Sequence, residues 1–120
     1  MNFNTSNLHQ TYIELLLEKT LNNRALAKTL FEKIFATLPV QIDELAHLLN
    51  RNDISQAQQL IHDIHGTVAS CGLVNLEYHA GLVERHLFEN DLEKSCKSFQ
   101  VLQQLVGNFL DCQDDIVSNL

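Results

Sequence analysis

Two histidines stand three residues apart, His62 and His65, and Gly66 follows the second at once in the run QQLIHDIHGTVASCG, residues 58–72. An unprotonated imidazole is a nucleophile, and an ordinary pKa of about 6.5 leaves much of it unprotonated near neutral pH. It is also a metal ligand, so both chemistries are open at this point. The rest of the run reads as one amphipathic helix, in which a glycine costs about 1 kcal/mol relative to alanine. Exposed helix positions rarely need glycine for packing, so Gly66 points to something that approaches closely.

Placing the run on a helix separates the candidates. With the apolar stripe Ile54, Ala57, Ile61, Ile64, Val68 and Cys71 taken as inward, 100° per residue puts His62 about 150° away and Gly66 about 170° away, both toward water. His65 falls roughly 90° from the stripe, on its flank, and Ala69 about 130° away. Gln58, Gln59 and Gly66 one turn to either side of His62, with Ala69 two turns on, are then its neighbours, which leaves the imidazole on a low-relief patch.

Positioning such a patch requires further elements, and the sequence supplies them as helices. Ser6 or Asn7 is expected to cap a short first helix over about 7–19, with Leu8, Tyr12, Leu15 and Leu16 on one side. A long second helix is expected from about 22 to 50, where Phe31, Phe35, Leu38, Ile42, Leu45 and Leu49 recur at helical steps. Pro39 in its middle predicts a kink or two stacked helices. RNDISQ reads as a turn in which Asp53 caps the third helix and Gln56 completes a capping box; CGL around Gly72 ends that helix. The fourth helix, about 73–88, carries Leu73, Leu76, Ala80, Val83 and Leu87. After the turn FEND, Asp91 caps a last helix through Leu92, Cys96, Phe99, Leu102, Val106 and Phe109 to about Ile116. Short connections make successive helices antiparallel neighbours. The expected fold is all-α: a single domain over 1–120, an antiparallel up-and-down four-helix bundle over about 22–117 with a short extra N-terminal helix.

Composition narrows the function classes. The net charge is −7 and the eight Lys and Arg are scattered, so neither a nucleic acid nor an anionic membrane is an expected partner. No apolar run approaches the roughly 18 residues of a spanning helix, and MNFNTSNLHQ has none of the features of a signal peptide. The three cysteines, Cys71, Cys96 and Cys112, suggest no disulfide framework or zinc site, and are read as small buried hydrophobes of a cytoplasmic chain. Tyr12, Tyr78 and the six Phe are assigned to the core; His9, His47, His79 and His86 are placed at the surface or the core boundary without a role.

The stretch IHDIHGTVASCGLVNLEYHAGLVERHL resembles the signature of histidine phosphotransfer (HPt) domains: a histidine, two residues, a lysine, a glycine, small residues, a second glycine, and a leucine-rich helix ending in an acid or amide. In that resemblance His62 matches the phosphorylated histidine, His65 the lysine, Gly66 and Gly72 the two glycines, and Glu84 the acid or amide. It extends upstream through residues 25–66 and covers roughly 20–110. The His-x-x-His-Gly variant is most similar to the C-terminal transfer module of BarA/GacS-type hybrid sensor kinases. The resemblance implies a phosphocarrier of a bacterial two-component phosphorelay, with receiver domains as partners, the phosphoryl group carried on His62, and no ATP site of its own. It also implies a cytoplasmic domain, monomeric, compatible with tethering to the inner membrane through a parent sensor kinase. His65 departs from the pattern: lysine offers a fixed charge near the phosphoryl oxygens, whereas histidine is only partly charged at neutral pH, so it neutralises charge less, donates a neutral hydrogen bond, or shapes the docking face.

Physical chemistry assigns roles alongside the resemblance. Phosphoryl transfer from an acyl phosphate needs Mg²⁺ and positive donors. This chain shows no carboxylate cluster around His62, so the partner receiver is expected to bring the ion and the chain itself to hold no cofactor. No GxxxxGK(S/T) loop is present, so the domain is not expected to charge itself from ATP. His62 lies ten residues before Gly72 and Glu84 twelve after it, so an antiparallel hairpin brings them level. A hydrogen bond from one ring nitrogen to Glu84 then fixes the tautomer and leaves the other, Nε2, to attack. Gln58, Gln59, Asp63 and Arg85 are the expected partner footprint. Two other readings compete: a helical interaction module without chemistry, and a metal site built from His62, His65, Glu77, His79 and Glu84. Against the metal, His62 points outward, and Glu44 to His47 is one Glu-x-x-His unit with no obvious second.

Overall fold

The computed structural model describes residues 8–120; the expected caps Ser6 and Asn7, and Phe3, lie outside the described residues. Six helices follow in order: α1 (Leu8–Lys19), α2 (Arg24–Asn50), α3 (Ile54–Ser70), α4 (Val74–Phe88), α5 (Leu92–Asp111) and α6 (Gln113–Ser118). Among the described residues there is no strand. Helix α3 packs on α2 and α4, α4 on α5, and α5 back on α2, which closes a four-helix bundle. Helices α1 and α6 pack against each other and against α2.

The starts of α2, α3 and α5 are set by side chains that satisfy otherwise orphaned backbone donors. The carboxamide of Asn23 accepts from the Leu26 N–H at 3.0 Å, Asp53 from Gln56 at 3.4 Å, and Asp91 from Lys94 at 3.0 Å. The expected capping box at Asp53 is only half formed. The Asp53 N–H is already donated to the Leu48 carbonyl at 2.9 Å, which leaves Gln56 nothing to reach back to.

The turns α2–α3, α3–α4 and α4–α5 share one backbone device. In each, a residue in the left-handed region (Asn52, φ 55°; Gly72, φ 70°; Asn90, φ 58°) is followed by an N–H that reaches back to a carbonyl of the preceding helix. Asparagine tolerates that conformation, yet the α3–α4 turn has glycine for a second reason. A Cβ at Gly72 would lie 2.8 Å from Cγ of Lys19 and 3.0 Å from the Leu15 carbonyl oxygen, because α1 crosses over this turn.

The core joins all six helices, with Tyr12, Phe31, Phe109, Leu16, Ile34, Leu38 and Ile61 among its fully buried side chains. The ring of Phe109 meets Tyr12 edge-on at 5.0 Å and stacks on Phe35 at 4.8 Å, which ties α1, α2 and α5 together.

Several expectations are corrected here. The second helix runs uninterrupted through Pro39, so it is not two stacked helices. The last helix breaks at Cys112 into α5 and α6, with no glycine or proline to announce the break. On α5, Leu92 and Cys96 are exposed while Ser95 and Ser98 turn inward. The two serines can be buried because their hydroxyls donate to the Asp91 and Lys94 carbonyls one turn back, at 2.7 and 2.9 Å. Cys71 and Cys112 are buried as expected, but Cys96 is exposed. Tyr78 and Phe88 also leave the core, at 59% and 80% exposure. No helix of the described residues is long and apolar enough to cross a membrane.

Candidate functional site

Helices α3 and α4 form an antiparallel hairpin about the Gly72 turn, and the residues predicted from their spacing meet at one level of it. His62 Nδ1 lies 2.8 Å from Oε2 of Glu84, and His65 Nδ1 lies 2.6 Å from Oε1 of the same carboxylate. Glu84 thus serves two imidazoles, one with each oxygen. Burial raises its pKa, but the hydrogen bonds from His65 and His62, with the charge those rings carry when protonated, outweigh it and hold the carboxyl below its ordinary value. An ionised carboxylate has no proton to give, so both Nδ1 atoms donate to it. That fixes the tautomer of a neutral His62: the proton is on Nδ1, and the lone pair is on Nε2.

The two rings differ in exposure. The His62 side chain is 72% exposed, whereas His65 and Glu84 are 33% and 31% exposed in the groove between the helices. His62 therefore projects from the bundle into water, as the helical arithmetic places it, while its base stays tied to α4. Gly66 is exposed, and nothing lies within 4 Å of where its Cβ would be, so the surface one turn from His62 is bare.

The remaining expected residues divide. Gln59, Asp63 and Arg85 are exposed, with the Gln59 amide donating to Asp63 at 3.4 Å. Gln58 and Ala69 are half-buried rather than open. The Gln58 amide donates to the Leu87 carbonyl at 2.8 Å, joining the Asn90 N–H on that oxygen near the end of α4, so its donor faces the hairpin and not a partner. His86 is half-buried, with Nδ1 2.9 Å from the Ser98 hydroxyl; His47 Nδ1 lies on the Asp43 carbonyl at 2.8 Å, and His79 packs edge-on to Tyr78.

Two residues of this site were missed in the sequence. Gly81 lies beneath the His65 ring: a Cβ there would sit 3.6 Å from its Cε1 and 3.7 Å from its Nε2. Phe88, one helical turn beyond Glu84, is 80% exposed on the same helix. The signal for Gly81 was present, since a second mid-helix glycine occurs opposite the histidine pair; for Phe88, aromatic character pointed to the core.

The metal reading gains nothing from this arrangement. His62 and His65 commit their Nδ1 atoms to Glu84, and among the described residues no group of three or more His, Cys, Asp or Glu could hold a metal ion.

A protein-family model described as "Hpt domain" matches residues 29–112, well over half of the chain. Neither the curated proteins nor the solved structures return a match. The matched span contains all of α3 and α4, hence both imidazoles, Glu84, the exposed Gly66 and the turn glycine Gly72. The chain belongs to the Hpt domains, the phosphocarriers that exchange a phosphoryl group with receiver domains in phosphorelays.

Proposed function

We propose that His62 is the residue that carries the phosphoryl group, taken from the aspartyl phosphate of one receiver domain and passed to a response regulator. The observation that carries this reading is a side chain 72% exposed to solvent whose ring is held at Nδ1 by Glu84. In the step, the Nε2 lone pair attacks phosphorus and the bond to the aspartyl oxygen breaks, its electron pair staying on the receiver's carboxylate. The Nδ1 proton remains on the ring, held against Glu84, and that carboxylate balances the positive charge the imidazole acquires. Reversal of the same path charges the next receiver.

Phosphoryl transfer of this kind needs a divalent cation and positive donors, which we assign to the receiver, with no cofactor resident in this chain. The docking face proposed for the receiver comprises the bare surface at Gly66, the exposed Gln59, Asp63 and Arg85, and Phe88 at its edge. His62, His65, Gly66, Gly72 and Glu84 fall on the pattern of BarA/GacS-type transfer modules, and we place the chain in that context: cytoplasmic, monomeric, and linked in function to a hybrid sensor kinase.

Incubation with phosphorylated receiver domains tests the reading. The expected label is acid-labile and alkali-stable, and it disappears in His62→Gln while the helical circular-dichroism spectrum is kept. Label retained in that variant refutes the assignment; no label in the wild-type chain with any receiver tried favours an interaction module without chemistry.

A further inference from the structure

We infer that His65 is a positioning residue for the transfer proposed above: acting through Glu84, it holds the tautomer of His62 rather than touching the phosphoryl group. The inference rests on that reading of His62 and extends it to the position where the family pattern has lysine.

Three observations carry it. The first is the division of the carboxylate, with Oε1 taken by His65 and Oε2 by His62. A glutamate on a helix surface has rotors to spare, and a single bond to a solvent-exposed ring would leave it free to turn to water. The second is shielding: His65 is 33% exposed against 72% for His62, so water competes less for the His65 bond, and that bond decides where Glu84 points. The third is the seat of the His65 ring. Its Cε1–Nε2 edge lies over the bare Cα of Gly81, within ordinary contact distance of a would-be Cβ.

Gly81 is nearer to the Gly72 turn than Glu84 by three residues, whereas His62 is farther from that turn than His65. The Nε2 edge of His65 is thus seated against α4 at Gly81. With Nδ1 on the carboxylate and the Nε2 edge over Gly81, both nitrogens of His65 have a neighbour on α4. The side chain at 65 does not repeat the lysine's charge contact; it acts one bond further back.

The tautomer is read directly from ¹⁵N-labelled full-length chain by two-bond ¹H–¹⁵N spectra about two pH units above the ordinary imidazole value, where free rings are neutral. In the wild type His62 is expected to be protonated on Nδ1 and bare on Nε2. His65→Ala is expected to move His62 toward the opposite tautomer. It should also slow phosphoryl acceptance from a receiver by about tenfold, the lower end of what loss of an orienting partner behind a histidine costs, without changing the receiver concentration at half-maximal rate. His65→Asn, whose amide N–H falls close to the place of Nδ1–H, should recover both readouts. An unchanged His62 tautomer in His65→Ala overturns the inference, whatever happens to the rate; so does a slowed rate with the tautomer unmoved, which would place His65 on the phosphoryl group. The spectra need no phosphoryl donor, so this failure is distinct from failure of His62 to be labelled.

Discussion

At Gly66 stability and access pull in opposite directions. A glycine on an exposed helix surface gives up about 1 kcal/mol relative to a good helix former, and no neighbour lies within 4 Å of where a Cβ would stand. Gly66→Leu should therefore raise the urea midpoint of the domain, since the position is exposed and its Cβ meets open space, while slowing transfer from a receiver by steric exclusion. A stabilised variant with an unchanged transfer rate would detach this glycine from docking. Glu84 supplies a second prediction with a definite sign. Its carboxyl titrates below its ordinary value in the folded chain, so its bonds to the two imidazoles add stability that is fully present above about pH 4.3 and is lost as pH falls through the lowered folded value. The stability gap between wild type and Glu84→Ala, measured by urea unfolding across pH, should be open at neutral pH and close in acid; a gap that widens in acid would contradict the assignment. In the sequence, His62 and Glu84 were legible because helical phase and equal distance from a turn are arithmetic. The second bond of Glu84, to His65, was not, because which flank residue leans into a groove depends on what stands opposite, here the empty Cα of Gly81.

Among the elements, the α3–α4 hairpin does the positioning, and its turn is the point most sensitive to substitution. Gly72→Ala would put a side chain on a left-handed residue, which costs about 1–2 kcal/mol, and would also press it against Lys19 and the Leu15 carbonyl. The expected loss exceeds that figure, because the backbone oxygen cannot move away as a flexible side chain can; a loss of no more than about 2 kcal/mol in urea unfolding would mean that α1 yields. Helix existence, the capping residues Asp53 and Asp91 and the inward stripe of α3 were all readable from periodicity and cap chemistry. The start of α5 was not. Its buried face passes through Ser95 and Ser98 while Leu92 and Cys96 face solvent, an inversion made possible by hydroxyls that return to their own helix and, at Ser98, meet His86. Hydrophobicity alone assigns those positions the other way. The break at Cys112 likewise has no local signal and follows from packing of Ile116 into the core beside α1.

For the molecule as a whole, the matched span leaves α1 before it and α6 after it, and these two short helices close one end of the bundle together. Tyr12 is the bolt of that closure: 2% exposed, edge-on to Phe109, its hydroxyl accepting from the Asn75 amide at 3.0 Å. Tyr12→Ala should cost about 3–5 kcal/mol, as truncation of a buried aromatic does, yet leave the transfer rate per folded molecule unchanged, because Gly72, which α1 overlies, is ten residues along α3 from His62. A specific loss of transfer at full folding would show that the closed end reaches the site. Thiol labelling checks the packing independently. Cys96 should react in the native state, whereas Cys71 and Cys112, buried and with their pKa values raised first of all by desolvation, should react only on unfolding.

If His62 carries the phosphoryl group as proposed, its outward stance also bears on how long that group lasts once taken. A ring 72% open to water gives its cargo no shelter, so between encounters the nitrogen–phosphorus bond decays at a pace set by imidazole chemistry rather than by the fold. The molecule is then an open hand: its memory of a signal lasts as long as the bare adduct does, or until the next receiver takes the group.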